Sequence, residues 1–262
     1  MTKTGQNLAT PTPLSPQKRA ILVGASSGIG AALAHRLADE GYQIALLARR
    51  AEKLSALADE INSKHGETRA IYYIHDVTDY ESIPELLQKI ITDLGGLDTF
   101  IYNAGVALMV GLKKYDFEKD RQMMEVNLIG ALAWLNPIVE KFQELKRGQI
   151  VGISSVAGER GRVGSPAYNS SKAALTTYLE ALRNRLDKNG VNILTVKPGF
   201  VQTDMIKDAK KLFWVISPEQ AAKDIYKAMQ KRKQEIYTPA RWRWVMLIVR
   251  NIPSFIFRKL VF

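Results

Sequence analysis

A tyrosine and a lysine four residues apart, Tyr168 and Lys172, have the side-chain types and the spacing that proton transfer needs. Both fall in a predicted helix, in which residues i and i+4 lie on one face. A phenol has a pKa of about 10, and a nearby ammonium group favours the phenolate and lowers that pKa. The pair therefore predicts a general acid–base group, although the same spacing also arises by chance and proves little alone.

Two polar residues upstream extend this pattern. Ser155 ends a predicted strand thirteen residues before Tyr168, where its hydroxyl would stabilise charge that develops on a substrate oxygen. Asn127 lies inside a predicted helix, a position for which asparagine has poor propensity. Asn127 is open to two interpretations, an amide on the helix surface or a functional group.

A glycine-rich loop joins the first predicted strand to the first predicted helix. Glycines let the backbone turn tightly and approach a pyrophosphate, whose charge meets the N-terminus of the helix. Glycine turns are also common in α/β proteins that bind no nucleotide. As a cofactor loop, the segment predicts contacts from Gly24, Ser26, Ser27, Gly28, Ile29 and Gly30.

Two arginines, Arg49 and Arg50, follow the second predicted strand, where an NAD site would have an acidic residue for the ribose 2′-hydroxyl. A guanidinium pairs with a 2′-phosphate in a fork geometry, whereas a carboxylate would repel it. The arginines therefore favour NADP(H) over NAD, with Arg49 preferred to Arg50. The alternative is that both simply solvate a loop.

Three further motifs follow the carboxyl ends of later strands, the edge at which open α/β sheets bind ligands. The motifs are Asp76-Val77, Asn103-Ala104-Gly105 and Pro198-Gly199-x-Val201-x-Thr203.

Taken in order, these motifs resemble those of the short-chain dehydrogenase/reductase family over roughly residues 18–238. The resemblance implies a Rossmann fold and hydride transfer to or from a carbonyl carbon, with Tyr168 giving or taking the proton. It also implies that Lys172 binds the nicotinamide ribose and that Asn127 holds a water linking Lys172 to solvent. A homodimer or homotetramer is the common assembly of such enzymes.

The same resemblance implies further cofactor contacts. In the family, the Asp76-Val77 pair would lie against the adenine ring, and Asn103-Ala104-Gly105 would shape the floor of the cofactor groove. The stretch from Pro198 to Thr203 would position the nicotinamide carboxamide and a nearby phosphate. Tyr102 departs from the asparagine that usually precedes Asn103, but it leaves the glycine turn intact.

The elements that must position these residues alternate between strand and helix. Apolar runs predict strands at 20–23, 42–48, 70–74, 99–102, 149–153, 192–196 and 235–237. Helical spacing predicts helices at 28–40, 51–64, 82–94, 117–145, 166–188 and 218–232. This order is typical of an α/β fold with a doubly wound parallel sheet. We predict a flexible leader at 1–17, a single Rossmann-fold oxidoreductase domain at 18–240 and a tail at 241–262.

Composition excludes several kinds of site. The chain has no cysteine, and its three histidines lack partners at metal-site spacing, so no metal centre is predicted. The net charge of +11 is uneven: 13 Lys/Arg against 4 Asp/Glu lie from Met205 onward, which leaves 24 against 22 before it. Nucleic-acid binding is not predicted, because no motif that reads bases accompanies the basic charge.

The tail at 241–262 has five basic residues, no acidic ones and several aromatic residues. It fits either peripheral contact with an anionic membrane or packing on the subunit or its dimer mate, and we prefer packing. Its longest apolar run, 244–249, is far short of the roughly 20 residues that span a bilayer. The polar N-terminus predicts no signal peptide. We expect a cytoplasmic protein, with contact at the inner face of a membrane as the alternative.

The segment after Thr203 forms the substrate lid in the resembled family, and here it is rich in apolar side chains: Met205, Ile206, Leu212, Phe213 and Trp214. They fit either a wall for a lipophilic ketone or aldehyde or the packing of the lid on the body. The predicted function is an NADP(H)-dependent carbonyl/alcohol oxidoreductase. The alternative is a non-catalytic NADP(H)-binding sensor or scaffold, which would be expected to lack at least one of Ser155, Tyr168 and Lys172.

Overall fold

The computed structural model describes residues 18–207 and 212–260, so the predicted leader lies outside the described residues. The strands are β1 (Arg19–Val23), β2 (Gln43–Ala48), β3 (Ala70–Ile74), β4 (Thr99–Tyr102), β5 (Gly148–Ile153), β6 (Val191–Pro198) and β7 (Glu235–Thr238). The helices are α1 (Gly28–Asp39), α2 (Ala51–His65), α3 (Ile83–Leu94), α4 (Phe117–Met124), α5 (Gly130–Leu145), α6 (Pro166–Arg185), α7 (Pro218–Gln230), α8 (Trp242–Asn251) and α9 (Ser254–Phe257).

The strands form one parallel sheet in the order β3-β2-β1-β4-β5-β6-β7. The chain builds outward from β1 to β3 and then returns to place β4 on the other side of β1. This reversal opens a crevice at the carboxyl ends of β1 and β4, where doubly wound folds bind ligands. The predicted fold class is confirmed.

Both faces of the sheet are covered by helices, which explains why the central strands are continuously apolar. In β1, Ile21 and Val23 pack into the core beneath α3, α5 and α6. Ala20 and Leu22 of the same strand pack into the core beneath α1, α2 and α7. Successive side chains of one strand thus serve opposite layers, and the sheet holds the loops at its carboxyl edge in fixed positions.

The helix predicted over 117–145 is divided in the structure. A π-helical turn, Glu125–Ile129, lies between α4 and α5 and places Asn127 at its centre. Such turns insert a residue into the helical hydrogen-bond pattern and often occur at functional sites. The Asn127 side chain is fully buried, so of the two interpretations of this residue the amide on the helix surface is wrong.

The C-terminal tail forms two short helices, α8 and α9, where the sequence predicted only a basic aromatic segment. Trp242 and Met246 of α8 are buried and pack with Tyr237 of β7. In the described part of the chain, none of the helices is long and apolar enough to cross a bilayer.

Candidate active site

The glycine loop and the Asn103-Ala104-Gly105 turn are packed together at the carboxyl ends of β1 and β4. Gly24 has a φ of +87°, and a Cβ at this position would lie 2.5 Å from the backbone nitrogen of Ala104. A Cβ on Gly30 would overlap the carbonyl oxygen of Gly24. Asn103 donates a 2.7 Å side-chain hydrogen bond to that same oxygen. Neither glycine position has room for a side chain, so bare backbone lines this part of the crevice.

Thr203, which follows β6, also contacts the glycine loop. Gly28 has a φ of +57°, and a Cβ there would lie 2.8 Å from the Cγ2 atom of Thr203. Gly28 is the first residue of α1, whose free N–H groups point toward the crevice. Residues 24–30 and Thr203 therefore enclose the space in front of a helix N-terminus, which is suited to an anion.

The two arginines after β2 lie on the adjacent rim. Arg50 donates hydrogen bonds of 3.1 and 2.7 Å to Ser26 Oγ and of 2.6 Å to Ser27 Oγ. Arg49 makes a 3.4 Å ion pair with Asp76, and both of these side chains are exposed. The structure thus brings Arg50, the less favoured candidate of the sequence analysis, onto the glycine loop and directs Arg49 toward the next strand.

The Asp76 carboxylate, just after β3, accepts hydrogen bonds and is held in its ionised form. Burial raises its pKa, but hydrogen bonds from the amide and hydroxyl of Thr78 and the charge of Arg49 outweigh this effect and lower the pKa. The carboxylate is therefore ionised at neutral pH. Val77 points into the core and is buried, so only its backbone is available to a ligand in the crevice.

Ser155 and Tyr168 come together just beyond β5 and at the start of α6. Ser155 caps a short 3₁₀ turn by accepting a 3.0 Å hydrogen bond from the Ala157 amide. Burial raises the pKa of Tyr168 above its usual value, and a hydrogen bond with Ser155 and the charge of Arg162 offset only part of this rise. The Tyr168 hydroxyl lies 4.0 Å from the sulfur of Met205 in the predicted lid.

Lys172 lies one helical turn after Tyr168 and is almost fully buried. Its Nζ atom donates a 2.9 Å hydrogen bond to the Ile153 carbonyl and lies 6.0 Å from the centre of the Tyr168 ring. Burial lowers the pKa of Lys172 to about 8. The cation that offsets part of the rise in the pKa of Tyr168 is Arg162, whereas the sequence pattern pointed to Lys172 for that effect.

Asn127 completes the set from the π-helical turn. Its amide donates to the Val106 carbonyl at 2.9 Å and to Ser171 Oγ at 3.1 Å, and its oxygen accepts from the Val106 amide at 2.7 Å. A Cβ on Gly105 would lie 3.2 Å from Lys172 Nζ and 3.3 Å from Asn127 Oδ1. Asn127, Lys172 and the glycine of the Asn-Ala-Gly turn therefore meet at one point.

The Pro198–Thr203 stretch leaves β6 beside the C-terminal tail. Gly199 donates a 2.9 Å backbone hydrogen bond to Thr238, and a Cβ on Gly199 would overlap the indole nitrogen of Trp242. Val201 is buried and forms a single parallel bridge with Ile216, beyond the lid. The tail thus supports a segment that the sequence analysis assigned to the cofactor.

Arg162 is a further candidate that the sequence analysis missed. It precedes Tyr168 by six residues, and its Nε atom is buried without a hydrogen-bond partner among the described residues. Burial lowers the pKa of Arg162 and the nearby Tyr168 raises it. The loop holds both Arg160 and Arg162, and no spacing marks either of them as functional, so only the position of Arg162 in the fold reveals it.

The predicted lid is partly described. Leu212, Phe213 and Trp214 fall within the described residues, and residues 208–211 fall outside them. Phe213 packs edge-on against Phe200, with ring centres 5.5 Å apart, while half of its own surface stays exposed. Both interpretations of the lid, packing on the body and an apolar wall, therefore have support.

Comparison with known proteins places these features in a family. Residues 18–212 match the profile of the short chain dehydrogenase family. The chain is 37% identical over 188 residues to an uncharacterized oxidoreductase of Myxococcus xanthus, covering 72% of this chain and 74% of that protein. It is 30% identical over 224 residues to the ketoacyl reductase HetN of a Nostoc species, covering 84% and 77%.

A solved structure shares the fold at a low sequence identity. The alcohol dehydrogenase of the archaeon Thermococcus sibiricus, complexed with 5-hydroxy-NADP, superposes with a TM-score of 0.75 at 26% identity. The superposition covers 84% of this chain and 95% of the archaeal chain.

Proposed function

The chain belongs to the short-chain dehydrogenase/reductase family, and from that premise we propose that it is an NADP(H)-dependent oxidoreductase acting on a carbonyl/alcohol pair. The observation that carries the proposal is the arrangement of Tyr168 and Lys172, whose buried Nζ atom lies 6.0 Å from the Tyr168 ring centre, with Ser155 close enough to lower the pKa of Tyr168. A proton donor and an oxygen-binding hydroxyl thus face the same crevice as the glycine loop.

NADP(H) is the proposed cofactor, and when bound it supplies or accepts the hydride. The crevice fits a dinucleotide, because Gly24 and Gly30 leave bare backbone at the loop that borders it and because the N-terminus of α1 lies at the same edge of the sheet. Arg49 and Arg50 supply the positive charge that a 2′-phosphate requires. The NADP-type ligand of the Thermococcus sibiricus structure supports this choice.

The remaining cofactor contacts are proposed from position at the carboxyl edge of the sheet. Asp76 and Val77 would flank the adenine, and the Asn103–Gly105 turn would form the floor of the groove. Pro198, Gly199, Val201 and Thr203 would border the nicotinamide end.

The proton chemistry follows from the chain's own groups. In the reduction direction, the Tyr168 hydroxyl donates its proton to the carbonyl oxygen, and in oxidation the phenolate takes the proton of the alcohol. The Ser155 hydroxyl donates a hydrogen bond to the same substrate oxygen and stabilises its developing charge. Lys172, with its pKa at about 8, exchanges a proton near neutral pH. Asn127 would connect Lys172 to solvent through a bound water.

The proposed substrate is a lipophilic ketone or aldehyde. Met205 approaches the Tyr168 hydroxyl, and Phe213 and Trp214 add exposed apolar surface on the same lid segment. The similarity to a ketoacyl reductase is compatible with an extended apolar substrate. We further propose that the enzyme acts in the cytoplasm as a homodimer or homotetramer.

The test combines a substrate panel with one substitution. Ketones and aldehydes of increasing chain length are incubated with NADPH, and its absorbance is followed. Tyr168→Phe is expected to abolish turnover and to leave NADPH binding intact, because only the proton donor is removed. Tyr178→Phe is the matched control, since Tyr178 lies on the same helix but hydrogen-bonds Asn136.

Turnover retained by Tyr168→Phe would refute the assigned proton donor. A protein that binds NADPH but reduces no member of the panel would instead favour the non-catalytic sensor or scaffold.

A further inference from the structure

The C-terminal helix α8 has two apolar faces, and only one of them is packed. Trp242 and Met246 face the body and are buried. Trp244, Leu247 and Ile248 are spaced i, i+3 and i+4 on the opposite side, with Trp244 66% and Ile248 68% exposed. Isolated surface hydrophobics are ordinary, but a helical stripe of three large side chains is not.

Helix α9 continues this unpacked surface. Phe255 is 62% exposed, and Ile256 beside it is also exposed. We refer to the exposed apolar side chains of the two helices as the outer surface: Trp244, Leu247, Ile248, Phe255 and Ile256.

The packed side of α8 is joined to the predicted lid through an aromatic cluster. The ring centre of Trp242 lies 5.7 Å from that of Phe200, 5.3 Å from that of Phe213 and 5.8 Å from that of Trp214. Phe213 and Trp214 are themselves exposed by 49% and 40%. The apolar surface of the lid therefore runs into the aromatic cluster that anchors α8.

The end of α8 is held by the loop that follows Ser155. Arg160 donates hydrogen bonds of 2.7 Å to the Val249 carbonyl and 2.5 Å to the Ile252 carbonyl, which caps the C-terminus of the helix. Its guanidinium also stacks 3.9 Å from the ring centre of Phe257. These contacts fix α8 and α9 relative to the active-site loops.

The positive charge around the outer surface favours an anionic lipid surface over a second copy of the chain as the partner. Residues 241–262 include five Arg or Lys and no Asp or Glu. Arg241 lies over the Trp214 ring at 4.9 Å, and Arg243 lies over the Trp244 ring at 5.9 Å. A second copy docking this surface on itself would bring like charges together, because a two-fold contact uses the same patch on both partners. An anionic lipid surface matches both the apolar stripe and the positive charge.

We propose that the outer surface, with the adjoining lid residues Phe213 and Trp214, docks this protein peripherally on an anionic membrane. The side chains of α8 and α9 enter the headgroup region, and the arginines pair with lipid phosphates. Because α8 is fixed to the loops beside Ser155 and Gly199, docking turns the mouth of the active site toward the bilayer.

The test is co-sedimentation of the full chain with vesicles. Binding to vesicles of phosphatidylglycerol and phosphatidylcholine, about 3:7, is expected to exceed binding to pure phosphatidylcholine at least about tenfold. Raising the salt concentration from about 0.1 M to about 0.5 M is expected to weaken binding to the anionic vesicles, since salt screens the attraction between the arginines and the lipid phosphates. Equal binding to both lipid compositions would overturn the proposal.

Substitutions separate the apolar and ionic contributions. Trp244→Ser combined with Ile248→Ser is expected to lower vesicle binding at least about tenfold, because the variant loses two apolar side chains that would insert into the lipid on docking. Tyr115→Ser is the control, since Tyr115 is 96% exposed but lies far along the chain from the tail. An unchanged melting temperature in all variants shows that folding is preserved.

A matched charge pair completes the design. Arg243→Gln with Arg258→Gln is expected to remove most of the preference for anionic lipid, whereas Arg185→Gln with Lys188→Gln leaves it in place. If the Trp244→Ser/Ile248→Ser variant instead changes the oligomer mass by light scattering, with no effect on vesicle binding, the surface is an interface between copies and the membrane proposal fails.

Discussion

Replacing Arg50 with glutamine is expected to weaken NADPH binding and to leave NADH binding nearly unchanged. In the structure the Arg50 guanidinium holds the hydroxyls of Ser26 and Ser27 at 2.6–3.1 Å. A 2′-phosphate placed at this rim would take over these donors. The substitution removes the donors without changing the glycine backbone that we propose to hold the pyrophosphate.

The size of the effect can be worked out from what Arg50 gives up. Arg50 is a charged donor in both states: its hydrogen bonds to the neutral serine hydroxyls lie at the low end of about 1.5–3 kcal/mol, and a bidentate pair with an anionic phosphate lies at the high end. Exchange of serine for phosphate therefore yields a net of about 1–2 kcal/mol, or roughly 5- to 30-fold in Kd. For Arg49 the displaced partner is the exposed ion pair with Asp76, which is worth about 0–1 kcal/mol. Arg49→Gln is thus expected to have an effect of equal or slightly greater size.

The assay is titration of NADPH and NADH followed by cofactor fluorescence, with Lys64→Gln at the far end of α2 as the charge control. Equal losses for both cofactors would refute the reasoning, because Arg50 would then act only by holding the loop through Ser26 and Ser27. No loss of NADPH affinity in either arginine variant would place the 2′-phosphate elsewhere.

Three further predictions test the site and its support. Arg162→Gln removes a positive charge that lowers the pKa of Tyr168, so that pKa is expected to rise. Because reduction needs the protonated phenol, the pH above which kcat/KM for reduction falls is expected to move upward. An unchanged pH profile would contradict this role of Arg162. Gly30→Ala places a methyl group against the Gly24 carbonyl and is expected to lower the free energy of unfolding by about 1–3 kcal/mol and to weaken NADPH binding. The control is Gly111→Ala, where a methyl group fits; in the same urea and fluorescence titrations it is expected to leave both the stability and the NADPH affinity unchanged. Trp242→Ala removes a buried indole ring and is expected to lower the free energy of unfolding by about 3–5 kcal/mol in urea denaturation; a loss below about 1 kcal/mol would show that the tail is not part of the cooperative fold.

Much of the cofactor crevice was predictable because its requirements are local. The turn at Gly24 needs a positive φ, and Gly30 needs the absence of a side chain, so the glycines mark the loop in the sequence itself. The alternation of apolar runs and helical spacing likewise specified the parallel α/β class, since burial of both sheet faces forces continuous apolar strands. The position of Asn127 was predicted, but its burial was not, because a π-helical turn has no simple sequence period.

Effects that depend on contacts between residues distant in sequence could not be predicted from the sequence. Arg162 follows no spacing rule, and its effect on Tyr168 depends on how the loop after β5 folds back over α6. The pKa of Lys172 is likewise a property of its burial and not of its distance from Tyr168 along the chain. The packing of Trp242 against Gly199 joins two segments that only the sheet brings together.

The sequence by itself identified the residues that we propose to carry the chemistry and the elements on which they lie, because residue type determines short-range periodicity and backbone conformation. The tertiary structure alone decided which charges face Tyr168 and which arginine touches the glycine loop. It also decided which side of the basic tail remains exposed. These depend on burial and on contacts between distant segments, and such contacts exist only after the sheet has assembled.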